Sequence, residues 1–145
     1  MKMMKLPPID VEALDLSPAA AVMSVAVLAM DADDYWSNRE VERLRLMAYT
    51  QPLFRNVPSV EKFITDRMAD LRAVGAEVLL ESCLKALSPS LRETAYSWAV
   101  ELVLADGVVS VKEHSFLDGL AAKFGIPATL AHNIQAIAAI RRRTE

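Results

Sequence analysis

The chain has little of what builds covalent or sheet frameworks. Its single cysteine, Cys83, cannot form an intramolecular disulfide, and a reducing compartment is the simple expectation. Glycine occurs only four times, and aromatic residues make up 6% of the 145 residues. A β-sandwich or barrel would draw on β-branched and aromatic residues and on glycine-rich turns, so that class is disfavoured. No segment alternates apolar and polar residues as a half-buried strand does. Long hydrophobic runs are also missing. The longest nearly apolar stretch, Ala19 to Met30, falls well short of the roughly 20 residues that cross a bilayer. The two N-terminal lysines are followed by Pro7, Pro8 and Asp10 rather than by the apolar core of a secretory signal. A cytoplasmic protein without a transmembrane segment is expected. Neither charge dominates: 16 basic residues stand against 19 acidic ones, for a net charge of −3. That balance lacks the clustered Lys and Arg of a nucleic-acid binder.

What is present is apolar and helical. Hydrophobic residues are 53% and charged residues 24% of the chain, enough to exclude intrinsic disorder. After a lead-in over residues 1–17, with a helical turn expected at Val11 to Leu16, Ser17-Pro18 opens a helix in the favoured order of N-cap and first helical residue. Ser88-Pro89 repeats that opening. Apolar spacing predicts helices over about 18–32, 38–50, 59–74, 76–87, 89–105, 111–124 and 128–142, broken at Asp33 to Trp36, Pro52, Gly75, Asp106-Gly107 and Gly125. Val111, Phe116, Leu117, Leu120 and Phe124 are expected inward on the sixth. The first helix is apolar nearly all round and is expected at the centre. Arg141, Arg142 and Arg143 end the last helix, where cations complement its dipole. The fold class is all-α, with about seven helices in one domain over residues 18–145.

That domain is internally duplicated. Shifted by 73 residues, Ser24 to Ala48 faces Ser97 to Ala121 without a gap, with Ser24/Ser97, Ala32/Ala105, Asp33/Asp106, Ser37/Ser110, Glu40/Glu113 and Leu44/Leu117 among the identities. Arg39/Lys112 is a conservative pair. Two units of helix, acidic loop and helix result, within halves of about 18–87 and 88–145, and they are expected to pack about a pseudo-twofold axis.

The shared pattern is Ala-Asp-x-x-x-Ser-x-x-Glu. Ser37 with Glu40, and Ser110 with Glu113, match a capping box, in which the serine accepts from the glutamate's backbone N–H and the glutamate reaches back. Asp33 and Asp106 close apolar helices, where the dipole disfavours a carboxylate. Each needs compensation, either from an Asx-type turn or from a cation or partner. Asp31, Asp33, Asp34 and Glu40 concentrate charge that repels unless it is solvated or shared with a cation. The loops are not EF-hands: Asp106-Gly107 precedes Glu113 at the right distance, but leucines hold the first two ligand positions. The candidate metal ligands are therefore Asp31, Asp33, Asp34, Glu40, Asp106 and Glu113, for a divalent ion of unassigned identity. No organic cofactor is expected, because the glycines are too scattered for a phosphate loop.

Other chemistry has less support. Cys83 falls on an apolar helix face and reads as core. His114 adjoins Glu113, but neighbours on a helix do not face each other, and no zinc spacing involves His114 or His132. Met23 and Met30 read as core filler. Tyr35 and Trp36 either plug the core at the first break or form an exposed contact patch.

The run Ala99 to Glu113, ending in Ala105-Asp106-Gly107 and Glu113, with Phe116-Leu117, Leu120 and Phe124-Gly125-Ile126 after it, resembles the tellurite-resistance TerB-like family. Asp34 in place of Gly is the departure in the first half. The matching stretches cover about residues 18–54 and 90–140. The resemblance implies an all-helical, non-enzymatic stress-response protein of the cytoplasm. It also implies a metal-binding surface that uses Asp33, Glu40, Asp106 and Glu113, and protein partners among other tellurite-resistance proteins at the membrane face. A homo-oligomer is a further expectation. The alternative is a helical scaffold or interaction module without a metal site.

Overall fold

A computed structural model describes residues 13–32, 38–107 and 109–144. All regular structure among them is helical: α1 (Pro18–Asp31), α2 (Asn38–Thr50), α3 (Val60–Ala86), α4 (Pro89–Val103), α5 (Val111–Phe124) and α6 (Ala128–Arg141), with short 3-10 turns at Pro52–Phe54 and Leu104–Asp106. None of these helices is long and apolar enough to cross a membrane. The break expected at Gly75 is present: α3 consists of two helical stretches joined at a kink there, with no loop between them. Gly75 sits at φ 83° and ψ 166°, a conformation open essentially to glycine alone.

The helix starts follow from the serines. Ser17 Oγ accepts from Ala20 N–H at 3.1 Å, Ser59 Oγ from Lys62 N–H at 3.2 Å, and Ser88 Oγ from Leu91 N–H at 3.2 Å. Each satisfies a donor that the first helical turn leaves unpaired. The C-terminal end of α5 closes with Ile126 N–H on the Ala121 carbonyl at 2.9 Å and Gly125 N–H on that of Ala122 at 3.2 Å. This Schellman arrangement turns Ile126 back into the core.

Helix α1 is buried from Ala20 to Met30 without interruption, as its lack of a polar face requires. It packs against α3 on one side and α4 on the other. Helix α4 also packs against α5, α2 and α6, and α2 and α5 begin 73 residues apart (111 − 38). Inside, Tyr96 is wholly buried on α4, and its hydroxyl accepts from Gln135 Nε2 of α6 at 2.8 Å. Burial pushes that phenol upward, partly offset by the Gln135 hydrogen bond.

Two local expectations are corrected. Residues 13–17 are not helical, because Leu14 N–H is held by Ser82 Oγ of α3 at 2.8 Å and Leu16 lies on the core; Val11 and Glu12 lie outside the described residues. Val111, expected inward, is 83% exposed. It is the first residue of α5, half a turn away from the stripe that Leu117, Leu120 and Phe124 set.

Candidate functional site at the helix junctions

The second junction shows how the repeated pattern works. The 3-10 turn Leu104–Asp106 ends at Gly107, whose φ is 76° and whose N–H donates to the Leu104 carbonyl at 2.9 Å. A left-handed residue there explains the Ala-Asp-Gly order. Ser110 then caps α5: its Oγ accepts from Glu113 N–H at 3.1 Å, and Glu113 Oε1 accepts from Ser110 N–H at 3.0 Å. The capping box is complete, and Glu113 is buried. One of its carboxylate oxygens is therefore committed to the backbone.

The other acids differ in what they can offer. Glu40 occupies the corresponding place in the first turn of α2 and is also buried. Asp31 is the last residue of α1. It is half-buried and forms no ion pair among the described residues. Asp33 and Asp34, with Tyr35 and Trp36, lie outside the described residues, as does the side chain of Asp106. Among the described residues, no group of three His, Cys, Asp or Glu side chains could hold a metal ion. Asp31, Glu40 and Glu113 do not make a cation site by themselves. A cation would depend on Asp33, Asp34 and Asp106.

Arginines line a cleft between the start of α2 and the second junction. This cleft of about 400 Å³ is bounded by Arg39, Glu42, Arg43 and Leu46 of α2, by Ala105 of the 3-10 turn and by Arg142 after α6. Arg39 is the second residue of α2, just past the first junction, and Ala105 belongs to the second. The start of α2 and the second junction therefore share one cleft. Arg142 is anchored there. It donates to the carbonyls of Ala105 and Glu101, each at 3.3 Å, and one nitrogen lies 3.8 Å from the Glu101 carboxylate. Arg141 pairs with that same carboxylate. Arg39 and Arg43 form no ion pair among the described residues.

Arg141 and Arg142 lie at the C-terminal end of α6, as expected, and Arg142 also donates to the carbonyls of Glu101 in α4 and Ala105 in the 3-10 turn. The signals for the cleft were the Arg39 and Arg43 spacing, which puts both on one face of α2, and the Arg39/Lys112 pair in the repeat. Neither pointed to Arg142, which arrives from the far end of the chain.

The remaining chemistry-bearing residues have structural places. Cys83 is wholly buried and donates to the Ala21 carbonyl at 3.4 Å. Burial pushes its thiol up to about 12, with the Ser24 hydroxyl pulling the other way. A protonated, enclosed thiol is no nucleophile. His114 and His132 are exposed, and His114 points away from buried Glu113. Met23 and Met30 are wholly buried in the core. Comparison with protein-family models, curated proteins and solved structures returns no match.

Proposed function

We propose that this chain is a non-enzymatic stress-response protein similar to the TerB-like tellurite-resistance proteins, and that it acts by binding through the face between the start of α2 and the second helix junction. The motif Ala105-Asp106-Gly107 to Glu113 supports the family, and the cleft that joins the start of α2 to the end of the second junction carries the binding reading. Glu113 serves first as a helix cap, and the cleft wall is basic. Both favour an interaction module over a cation carrier. In cells that contain this chain, its removal is expected to lower survival on tellurite, and the Arg39→Gln/Arg43→Gln chain is expected not to restore it. Full survival without the chain refutes the stress-response reading.

Asp31 favours a second reading, in which a divalent cation is held at the first junction. A half-buried carboxylate at the negative end of a helix dipole, with no ion pair among the described residues, gains from a nearby cation. Asp33, Asp34 and Glu40 would then share it.

A further inference from the structure

We propose that the arginine cleft between the start of α2 and the second junction binds the phosphate group of an anionic ligand. The inference rests on the reading of this face as a binding surface and adds the chemistry of what it binds. The chain as a whole is acidic, with a net charge of −3, yet among the described residues around this cleft three are arginines and one is an acid. Of the other arginines, Arg45 lies 3.4 Å from Glu61, Arg67 lies 2.9 Å from Asp70, and Arg141 pairs with Glu101, while Arg55 and Arg92 donate to backbone carbonyls. Arg39 and Arg43 have no such partner among the described residues, although Glu42 lies between them in sequence.

Two guanidinium groups one helical turn apart present forked donors on the same side of α2. The fork matches phosphate oxygens in a way an ammonium does not. Arg39 also lies in the first turn of α2, where the positive end of the helix dipole adds to the attraction for an anion. The third guanidinium, Arg142, is fixed in place by the carbonyls of Glu101 and Ala105. It adds positive charge at the wall without having to be ordered on binding. The volume of about 400 Å³ falls within the range of about 300–1,000 Å³ typical of small-molecule sites, so it suits a group larger than a lone ion. Leu46, 48% exposed, offers an apolar wall to the rest of the ligand. Glu42 opposes binding. The phosphate can belong to a soluble molecule or to a lipid headgroup.

The test uses the full chain at low salt, with inorganic pyrophosphate followed by titration calorimetry and phosphatidylglycerol vesicles followed by co-sedimentation. Phosphatidylcholine vesicles are the uncharged control. Saturable binding of pyrophosphate is expected for a soluble ligand, and sedimentation with anionic vesicles alone for a headgroup. Either is expected to weaken about tenfold or more in Arg39→Gln/Arg43→Gln, to strengthen in Glu42→Gln and to fall with added salt. Leu46→Glu places a carboxylate in the cleft at an exposed position and is expected to weaken binding similarly, should the double variant fold poorly. Absence of binding to both probes overturns the proposal, as does binding that neither the arginine nor the Leu46 variant weakens. Tellurite survival reads the function and these titrations read the ligand, so one can fail without the other.

Discussion

The guanidinium of Arg142 donates to the carbonyl of Ala105 at 3.3 Å, and so ties the end of α6 to the junction between α4 and α5. Helix ends leave carbonyls without intrahelical partners, and here an arginine from another helix takes them. Arg92 does the same one layer away, donating to the Leu84 carbonyl near the end of α3 at 2.7 Å. These two contacts hold the C-terminal ends of α3 and α4 where glycine caps are absent.

Replacing Arg142 with Met keeps the aliphatic stem and removes the donors to Ala105 and Glu101. A loss of about 2 kcal/mol is expected for these charge-assisted hydrogen bonds, measured by urea unfolding. Arg142→Lys is expected to recover only part of it, since an ammonium cannot present the same planar fork.

Glu113 separates capping from cation binding. Glu113→Ala is expected to lose about 1 kcal/mol, as other cap removals do. Glu113→Gln keeps an acceptor for the Ser110 N–H and is expected to stay near wild type. If the carboxylate charge itself mattered, Gln would be as damaging as Ala.

Much of the fold was legible because its signals are local. Ser-Pro openings set the starts of α1 and α4, and the shift of 73 residues placed α2 and α5 in register. The break at Gly75 was visible too, and a single residue in an extended glycine conformation turns the chain there without adding a loop. The lead-in was misread because its conformation is set by Ser82, a residue 68 positions away from Leu14. Glu113 was found by pattern, and its capping role with it; Ser37, the expected capping partner of Glu40, lies outside the described residues. The arginine cleft was not legible, because Arg142 meets Arg39 and Arg43 only through tertiary packing.

Gly75→Ala tests the kink. A Cβ at this position would meet nothing within 4 Å, so any loss comes from the backbone. With φ at 83°, about 1–3 kcal/mol of destabilisation is expected, read as a lower urea midpoint with an unchanged slope.

Cys83 predicts a pH dependence. Its thiol has an ordinary value of 9.0 and is raised by burial to about 12 in the folded chain. The unfolded chain therefore ionises first, and the native state loses stability as pH rises from about 9 towards about 12. The slope approaches about 1.4 kcal/mol per pH unit. Cys83→Ala removes this contribution, while Tyr96, also raised by burial, remains in both proteins. The stability gap between them is expected to narrow as the pH climbs. In the native state at pH 8, Cys83 is expected to resist thiol reagents that label it in urea.

On the proposed reading the cleft binds through its arginines, and Glu113 is committed to capping α5 rather than to a cation. Thermal unfolding of chelator-treated protein with millimolar Ca²⁺, Mg²⁺, Mn²⁺ or Zn²⁺ tests it most directly, since a ligand that binds only the native state raises the midpoint. The account predicts no saturable rise with any of these ions, for the wild type or for Asp33→Asn/Asp106→Asn. A saturable rise with one ion, lost in the double variant, would contradict it and make the acidic junctions a metal site.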